Sequence, residues 1–277
     1  MKLTKKLLAV IMAVVMLASV CVIGASAKTN VLDLVFVVDT TGSMSDDIDR
    51  VKNDMNNYVD KLEEIGADYR VAIVDYRDFP ERASSYDYPY NVALDFSSDR
   101  SAINSAIYGL SLGNGGDTPE TIYSALIDGL DELSWRTGSG KAAIVMGDAP
   151  ALDPEPYTGY TLEIVKNKLL YNNIGATGVG GSTLASSAIS RAGSRSAITL
   201  FTIATSSSYS TVECFESLAE ATNGKSYTAE SSADITEIIE TIIEELPETV
   251  VEPSIFEKIW AVLIKMFYII TFQWDKL

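Results

Sequence analysis

The chain contains no histidine. That one absence excludes imidazole-based catalytic triads, histidine-ligated zinc and imidazole proton shuttles. Cysteine is almost as scarce, at two residues in 277, Cys21 and Cys214. Cys21 lies in an N-terminal stretch with the features of a removable leader, so no internal disulfide is expected. Cys214 is expected to be a small buried apolar residue among Val212, Phe215 and Leu218; an intermolecular disulfide is the alternative. Basic residues are outnumbered, 21 Lys and Arg against 38 Asp and Glu, a formal net charge of −17. A chain so poor in positive charge is ill suited to nucleic acid, which needs a basic face. Low-complexity bulk is also missing: 47% of residues are apolar and 21% charged, as in ordinary globular domains.

The one long apolar run is at the N-terminus. Lys2, Lys5 and Lys6 precede Leu7 to Ile23, and Ala25-Ser26-Ala27 offers a small-x-small cleavage site. Residues 1–27 therefore read as a secretory signal peptide. Loss of its three lysines takes the mature charge to about −20.

The rest of the chain is organised around Val31–Ser43. An apolar run to Val38 stops at Asp39 and is followed by Thr40-Thr41-Gly42-Ser43. A run that short and that apolar suits a central strand buried on both faces. The oxygen-rich turn after it suits the carboxyl end of the strand, where open α/β sheets bind their ligands. Asp39, Thr41 and Ser43 alternate, so their oxygens can converge, and hard oxygen donors of this kind suit a divalent cation such as Mg²⁺.

Downstream, Ile48, Val51, Met55, Val59 and Leu62 form the stripe of an amphipathic helix closed by Gly66. Strands are expected at Arg70–Tyr76 and Asn91–Phe96, and a helix over residues 99–112. The turn Gly113-Asn114-Gly115-Gly116-Asp117-Thr118-Pro119-Glu120 leads to a helix bearing Ile122, Leu126, Leu130 and Leu133, with Thr118 as its cap and Pro119 in its first position. Lys141–Met146 is a second buried strand, and it too stops at a carboxylate, Asp148. Helices are expected at 162–171, 212–222 and 235–246, and strands at 197–204 and 226–228; the Gly/Ser-rich segment 174–196 fits neither pattern. Strands alternating with helices predict an α/β fold, a doubly wound and mostly parallel sheet.

With these residues placed, the chain resembles the von Willebrand factor type A domain over residues 31–246. The resemblance is carried by Asp39-x-Thr41-x-Ser43, the Gly115-Gly116-Asp117-Thr118 turn, Asp148 after a buried strand, and Leu218–Gly224 as a late helix and turn. It implies a Rossmann-like fold with a metal-ion-dependent adhesion site. The hydroxyls of Thr41 and Ser43 would bind Mg²⁺ directly, with Mn²⁺ or Ca²⁺ as alternatives. Thr118 would add a third hydroxyl, with Asp117 as the alternate to Thr118. Asp39 and Asp148 would act directly or through water, and a partner's Asp or Glu would fill the open position. Thr41 stands where the family usually has serine, a change that keeps the oxygen.

Two further stretches carry expectations. Tyr86, Tyr88 and Tyr90 follow a strand parallel to the first and either rim the binding face or belong to a tyrosine-rich edge strand. After a linker at 247–254, residues 255–277 place Phe256, Ile259, Trp260, Leu263, Phe267 and Ile270 on one side and Lys258 and Lys265 on the other. That segment is too interrupted for a span of ~20 apolar residues and reads as an interfacial or partner-docking helix. The expected function is Mg²⁺-dependent protein binding by a non-enzymatic module, secreted or held at a bacterial envelope. The alternatives are a metal-dependent hydrolase with Asp39 as nucleophile, and a structural module that binds no metal.

Overall fold

The computed structural model describes residues 30–116, 118–171 and 197–249. The leader 1–27, Asp117, the segment 174–196 and the tail 255–277 lie outside the described residues.

Strand β1 (Asn30–Asp39) is central because its sequence has no polar face to give to water. Leu32, Leu34, Phe36 and Val38 project into one core, and Val35 and Val37 into the other. β2 (Ala67–Tyr76) and β4 (Gly140–Gly147) flank it, both parallel, with Val38 opposite Asp75 on one side and Met146 on the other. β3 (Asn91–Ser97) is an antiparallel edge on β2, while β5 (Ile198–Ala204) and β6 (Lys225–Thr228) continue from β4 in parallel. The order is β3-β2-β1-β4-β5-β6, an α/β sheet whose connections reverse direction between β1 and β4.

Helix α1 (Ser45–Glu64) buries Ile48, Val51, Met55, Tyr58, Val59 and Leu62, the expected stripe with Tyr58 added. It ends at Gly66, whose φ of 65° is costly for any residue with a Cβ. α2 (Arg100–Gly109) and α6 (Ser232–Thr249) pack on the same side as α1. Arg50 Nε donates to Thr236 Oγ1 at 2.7 Å and Lys61 pairs with Glu244 at 2.9 Å, tying α6 to α1. The opposite side carries α3, which starts at Ile122–Ser124 and continues as the π-helical segment Ala125–Gly129, then α4 (Leu162–Tyr171) and α5 (Tyr209–Glu220).

The boundaries differ from the periodicity at several ends. α2 stops at Gly109, because Leu110 turns to extended backbone. α5 starts at Tyr209 and α6 at Ser232, since their polar first turns carry no apolar signal. α6 also runs through Thr249, into residues that composition assigns to the linker.

Candidate functional site at the carboxyl end of the sheet

In open α/β sheets the crevice outside the carboxyl ends of the strands, where strand order reverses, is where ligands bind. Here that point lies between β1 and β4, and both strands finish in carboxylates. Asp39 closes β1, and Asp148 follows Gly147 at the end of β4. Gly147 lies directly beside Asp39: a Cβ there would come within 3.1 Å of Asp39 Oδ2 and 2.4 Å of the Tyr76 hydroxyl.

Asp39 is fully buried. Its Oδ1 accepts the Thr41 N–H at 2.8 Å, and its Oδ2 has no hydrogen-bond partner among the described residues. Burial pushes its carboxyl up to about 7; Thr41's donors oppose the shift, Asp148's charge adds to it, and Arg77 acts against it. The Thr41 and Ser43 hydroxyls are 3.4 Å apart. Asp148, half-buried, is anchored through its carbonyl, which accepts from Thr211 Oγ1 at 3.1 Å. Four of the five expected ligands thus stand on one rim.

The set fits a hard divalent cation. An orphaned buried carboxylate oxygen, a second carboxylate and paired hydroxyls are all oxygen donors, with no nitrogen or sulfur among them. Among the described residues, no three Asp, Glu, Cys or His side chains gather tightly enough to hold a metal alone. A cation here would therefore depend on the hydroxyls.

Thr40 faces the other way and locks the turn. Its hydroxyl donates to Asp75 Oδ2 at 3.1 Å and accepts from Arg77 Nε at 3.0 Å. Arg77, buried, also donates to the Tyr86 carbonyl at 3.3 Å and the Ser111 carbonyl at 2.6 Å. One guanidinium therefore joins three loops around the site.

The glycine turn packs onto this motif. Gly113 N–H donates to the Thr40 carbonyl at 2.8 Å, and Gly115 (φ 61°) leaves room for Thr41, whose Cγ2 would lie 2.4 Å from any Cβ placed there. Gly115→Ala is expected to cost about 1–2 kcal/mol for the left-handed backbone alone. The clash with Thr41 should also weaken cation binding by more than that loss of stability explains. Urea denaturation paired with Mg²⁺ titration would separate the two effects.

Thr118 corrects the expected helix cap. It is exposed, joined to Pro119 by a cis peptide, and its hydroxyl makes no hydrogen bond among the described residues. Helix α3 begins at Ile122 instead. The cause is tertiary: Glu120 N–H donates to the Pro150 carbonyl and Leu152 N–H to the Glu120 carbonyl, both at 2.9 Å, bridging this segment to the loop after β4. Thr118 thus lies between Gly115, packed on Thr41, and Glu120, bonded beside Asp148. Its alternate, Asp117, lies outside the described residues.

Sequence reasoning missed Glu120, a buried carboxylate close to the Gly115 turn, because it reads as an ordinary first-turn acid. It missed Asp75, which accepts from Thr40, Tyr88 and Asn91. The tyrosine rim is corrected in part. Tyr86 is exposed, but Tyr88 turns inward, its hydroxyl on Asp75 and its ring 4.3 Å from the Arg77 guanidinium. Tyr90 donates to Glu132 at 2.8 Å and packs on the α3 side of the core. Cys214 is half-buried and unpaired, and its Sγ accepts the Ala151 N–H at 3.3 Å.

Comparison with known proteins agrees with this architecture. The vWF domain of the type V pili tip protein Mfa5 from Porphyromonas gingivalis superposes with a TM-score of 0.53 at 14% identity, covering 83% of this chain and 99% of that one. The pilus adhesin SpaC from Lactobacillus rhamnosus GG, in its open conformation, gives 0.50 at 13% identity, covering 80% of this chain and 31% of that one. At these identities the likeness is one of fold. The alpha-protein kinase vwkA of Dictyostelium discoideum is 29% identical over 123 residues, 43% of this chain but 18% of that protein. The chain therefore spans under a fifth of the curated relative it matches. The sequence pattern described as von Willebrand factor A domain matches residues 33–230, from within the central strand to the loop before α6. With the strand order, the paired carboxylates and the glycine turn on one rim, this chain belongs to the von Willebrand factor A domain family.

Proposed function

We propose that the chain is a cation-dependent protein-binding module that works without catalysis. The observation that carries this reading is Asp39, sealed in the protein with one carboxylate oxygen left unpartnered. Burying a charge without a partner is costly, and a dication at that oxygen offsets the cost. The hydroxyls of Thr41 and Ser43 would bind Mg²⁺ directly, Thr118 would join them, and Asp39 and Asp148 would act directly or through water. Two carboxylates leave a bound dication near neutral, so it still attracts an outside anion. An Asp or Glu of a protein ligand would fill the open position. The printed names of two fold neighbours, a pilus adhesin and a pilus tip protein, support an adhesive role outside the cell, as does the leader at 1–27. Residues 255–277 would then tether or dock the module at an envelope.

Calorimetric titration of the chain with Mg²⁺ tests the reading. One site is expected, weakened at least tenfold by Thr41→Val, which removes a ligand oxygen while keeping the side-chain volume. Absence of Mg²⁺, Mn²⁺ and Ca²⁺ binding would leave only a structural role, and metal-dependent turnover of a generic phosphoester would favour a hydrolase.

A further inference from the structure

We propose that the pole around Asp39 and Asp148 docks a basic protein surface, whose lysine or arginine side chains lie on a crown of exposed tyrosines, Tyr86 and Tyr209 foremost. The inference rests on the binding function proposed above and names the kind of partner that this face admits.

Large apolar side chains left in water on one part of a protein mark an interaction site. Of the six such side chains among the described residues, four stand on segments that contacts tie to this pole, while Tyr108 and Ile164 lie on α2 and α4. Tyr86 is 84% exposed, Tyr209 79%, Tyr157 56% and Leu112 43%. Three loops and the first turn of α5 supply them, and contacts tie each segment to the site. The Tyr86 carbonyl accepts from Arg77, which also holds Thr40. Leu112 stands between Ser111, bonded to Arg77, and Gly113, bonded to Thr40. Tyr157 packs edge-on to Phe79, two residues past Arg77, with ring centres 4.9 Å apart. Tyr209 opens the helix whose Thr211 holds Asp148. At the other end of the sheet the aromatics are already satisfied: Trp135 and Phe96 meet edge to face with ring centres 4.6 Å apart, and Arg70 lies over Phe96 at 4.8 Å.

Charge selects the occupant. Asp46, Glu81 and Glu213 are exposed near the crown and make no ion pair among the described residues. The cations nearby are engaged, Arg77 inside the loops and Arg82 with Asp78 at 3.3 Å. At the far pole arginines sit on carboxylates instead, Arg70 and Arg136 on Asp33 and Arg136 also on Asp68. A face of carboxylates and tyrosine rings attracts ammonium and guanidinium groups by Coulomb and cation–π forces, and it repels acidic surfaces. The carboxylate that reaches the cation therefore comes from within a basic patch.

The test uses three synthetic peptides of equal length: one Asp flanked by lysines, the same Asp flanked by glutamates, and the lysine peptide with Asp replaced by Asn. Binding is followed by fluorescence anisotropy at low salt, in Mg²⁺ and in EDTA, to wild type and to the double variant Tyr86→Ala/Tyr209→Ala. Both rings are solvent-exposed, so the variant should melt as wild type does. The lysine peptide is expected to bind at least about tenfold tighter than the glutamate peptide, and the variant should bind the lysine peptide several-fold more weakly than wild type does. Equal binding of the two peptides by wild type, or an unchanged affinity of the variant for the lysine peptide, overturns the crown. So does binding of phosphatidylcholine vesicles that is lost in the variant, which would assign the crown to lipid. A lysine preference that ignores both Mg²⁺ and the Asp→Asn change keeps the crown and refutes the cation-dependent reading. Mg²⁺-dependent binding that is blind to flanking charge does the reverse.

Discussion

In saturating Mg²⁺, Asp39→Asn is expected to melt well below wild type; in EDTA it should melt level with wild type or above it. The reversal follows from what the side chain does in each state. Asparagine keeps an oxygen to accept the Thr41 N–H, a bond of 2.8 Å in the wild type, so the local turn survives. What it removes is the charge on a buried group whose other oxygen has no partner in the described protein. Without a cation that charge is a burden, because desolvation opposes it and Asp148 stands close by. With a cation the same charge is the main attraction, and a ligand at a hundredfold its dissociation constant adds about 2.7 kcal/mol of stability to wild type. Scanning calorimetry of both proteins in both buffers reads the crossing directly. A variant destabilised equally with and without Mg²⁺ would show that Asp39 serves the fold alone.

The features visible in the sequence were those whose cause is local. β1 and β4 read as apolar runs, broken only by Asp33 and Lys141 near their starts, because neither has a solvent face, and a carboxylate after such a run stands out. The stripe of α1 was legible for the same reason. What escaped depended on distant partners. Arg70 and Arg136 meet Asp33 across 37 and 103 positions, a pairing that no spacing rule reveals. Thr118-Pro119 obeys every local rule for a helix start, yet the backbone bonds of Glu120 to Pro150 and Leu152 take the segment elsewhere. Tyr86 and Tyr88 are two residues apart in a polar loop, and only the positions of Arg77 and Asp75 decide that one faces water and the other faces in.

Asp33 supplies the control for Asp39, since β1 carries a buried carboxylate near each end and treats them in opposite ways. Asp33 accepts from five donors: Arg70 Nε and Nη2 at 3.0 Å each, the Arg136 backbone at 2.7 Å, Arg136 Nε at 2.8 Å and Ser139 Oγ at 3.0 Å. Burial alone would raise its pKa, but the hydrogen bonds and charges of Arg70 and Arg136 outweigh it and hold the carboxyl below its usual 3.8. Asp33→Ala removes the carboxylate that both guanidinium groups share and is expected to cost about 3 kcal/mol, the low end for a broken buried pair, because Arg136 keeps Asp68, Arg70 keeps the Ser134 carbonyl and both arginines reach solvent. The loss should be the same in Mg²⁺ and in EDTA. The sign with pH follows from the lowered pKa. The stabilisation is complete above 3.8 and is lost as pH falls through the lower folded value, so wild type and variant should converge in strong acid. The two sites are six residues apart along the strand, roughly 20 Å. Asp33→Ala and Asp39→Asn should therefore add within about 0.5 kcal/mol, as urea denaturation of the double variant would establish. One carboxylate is saturated by the protein itself; the other keeps a buried oxygen with no hydrogen-bond partner among the described residues.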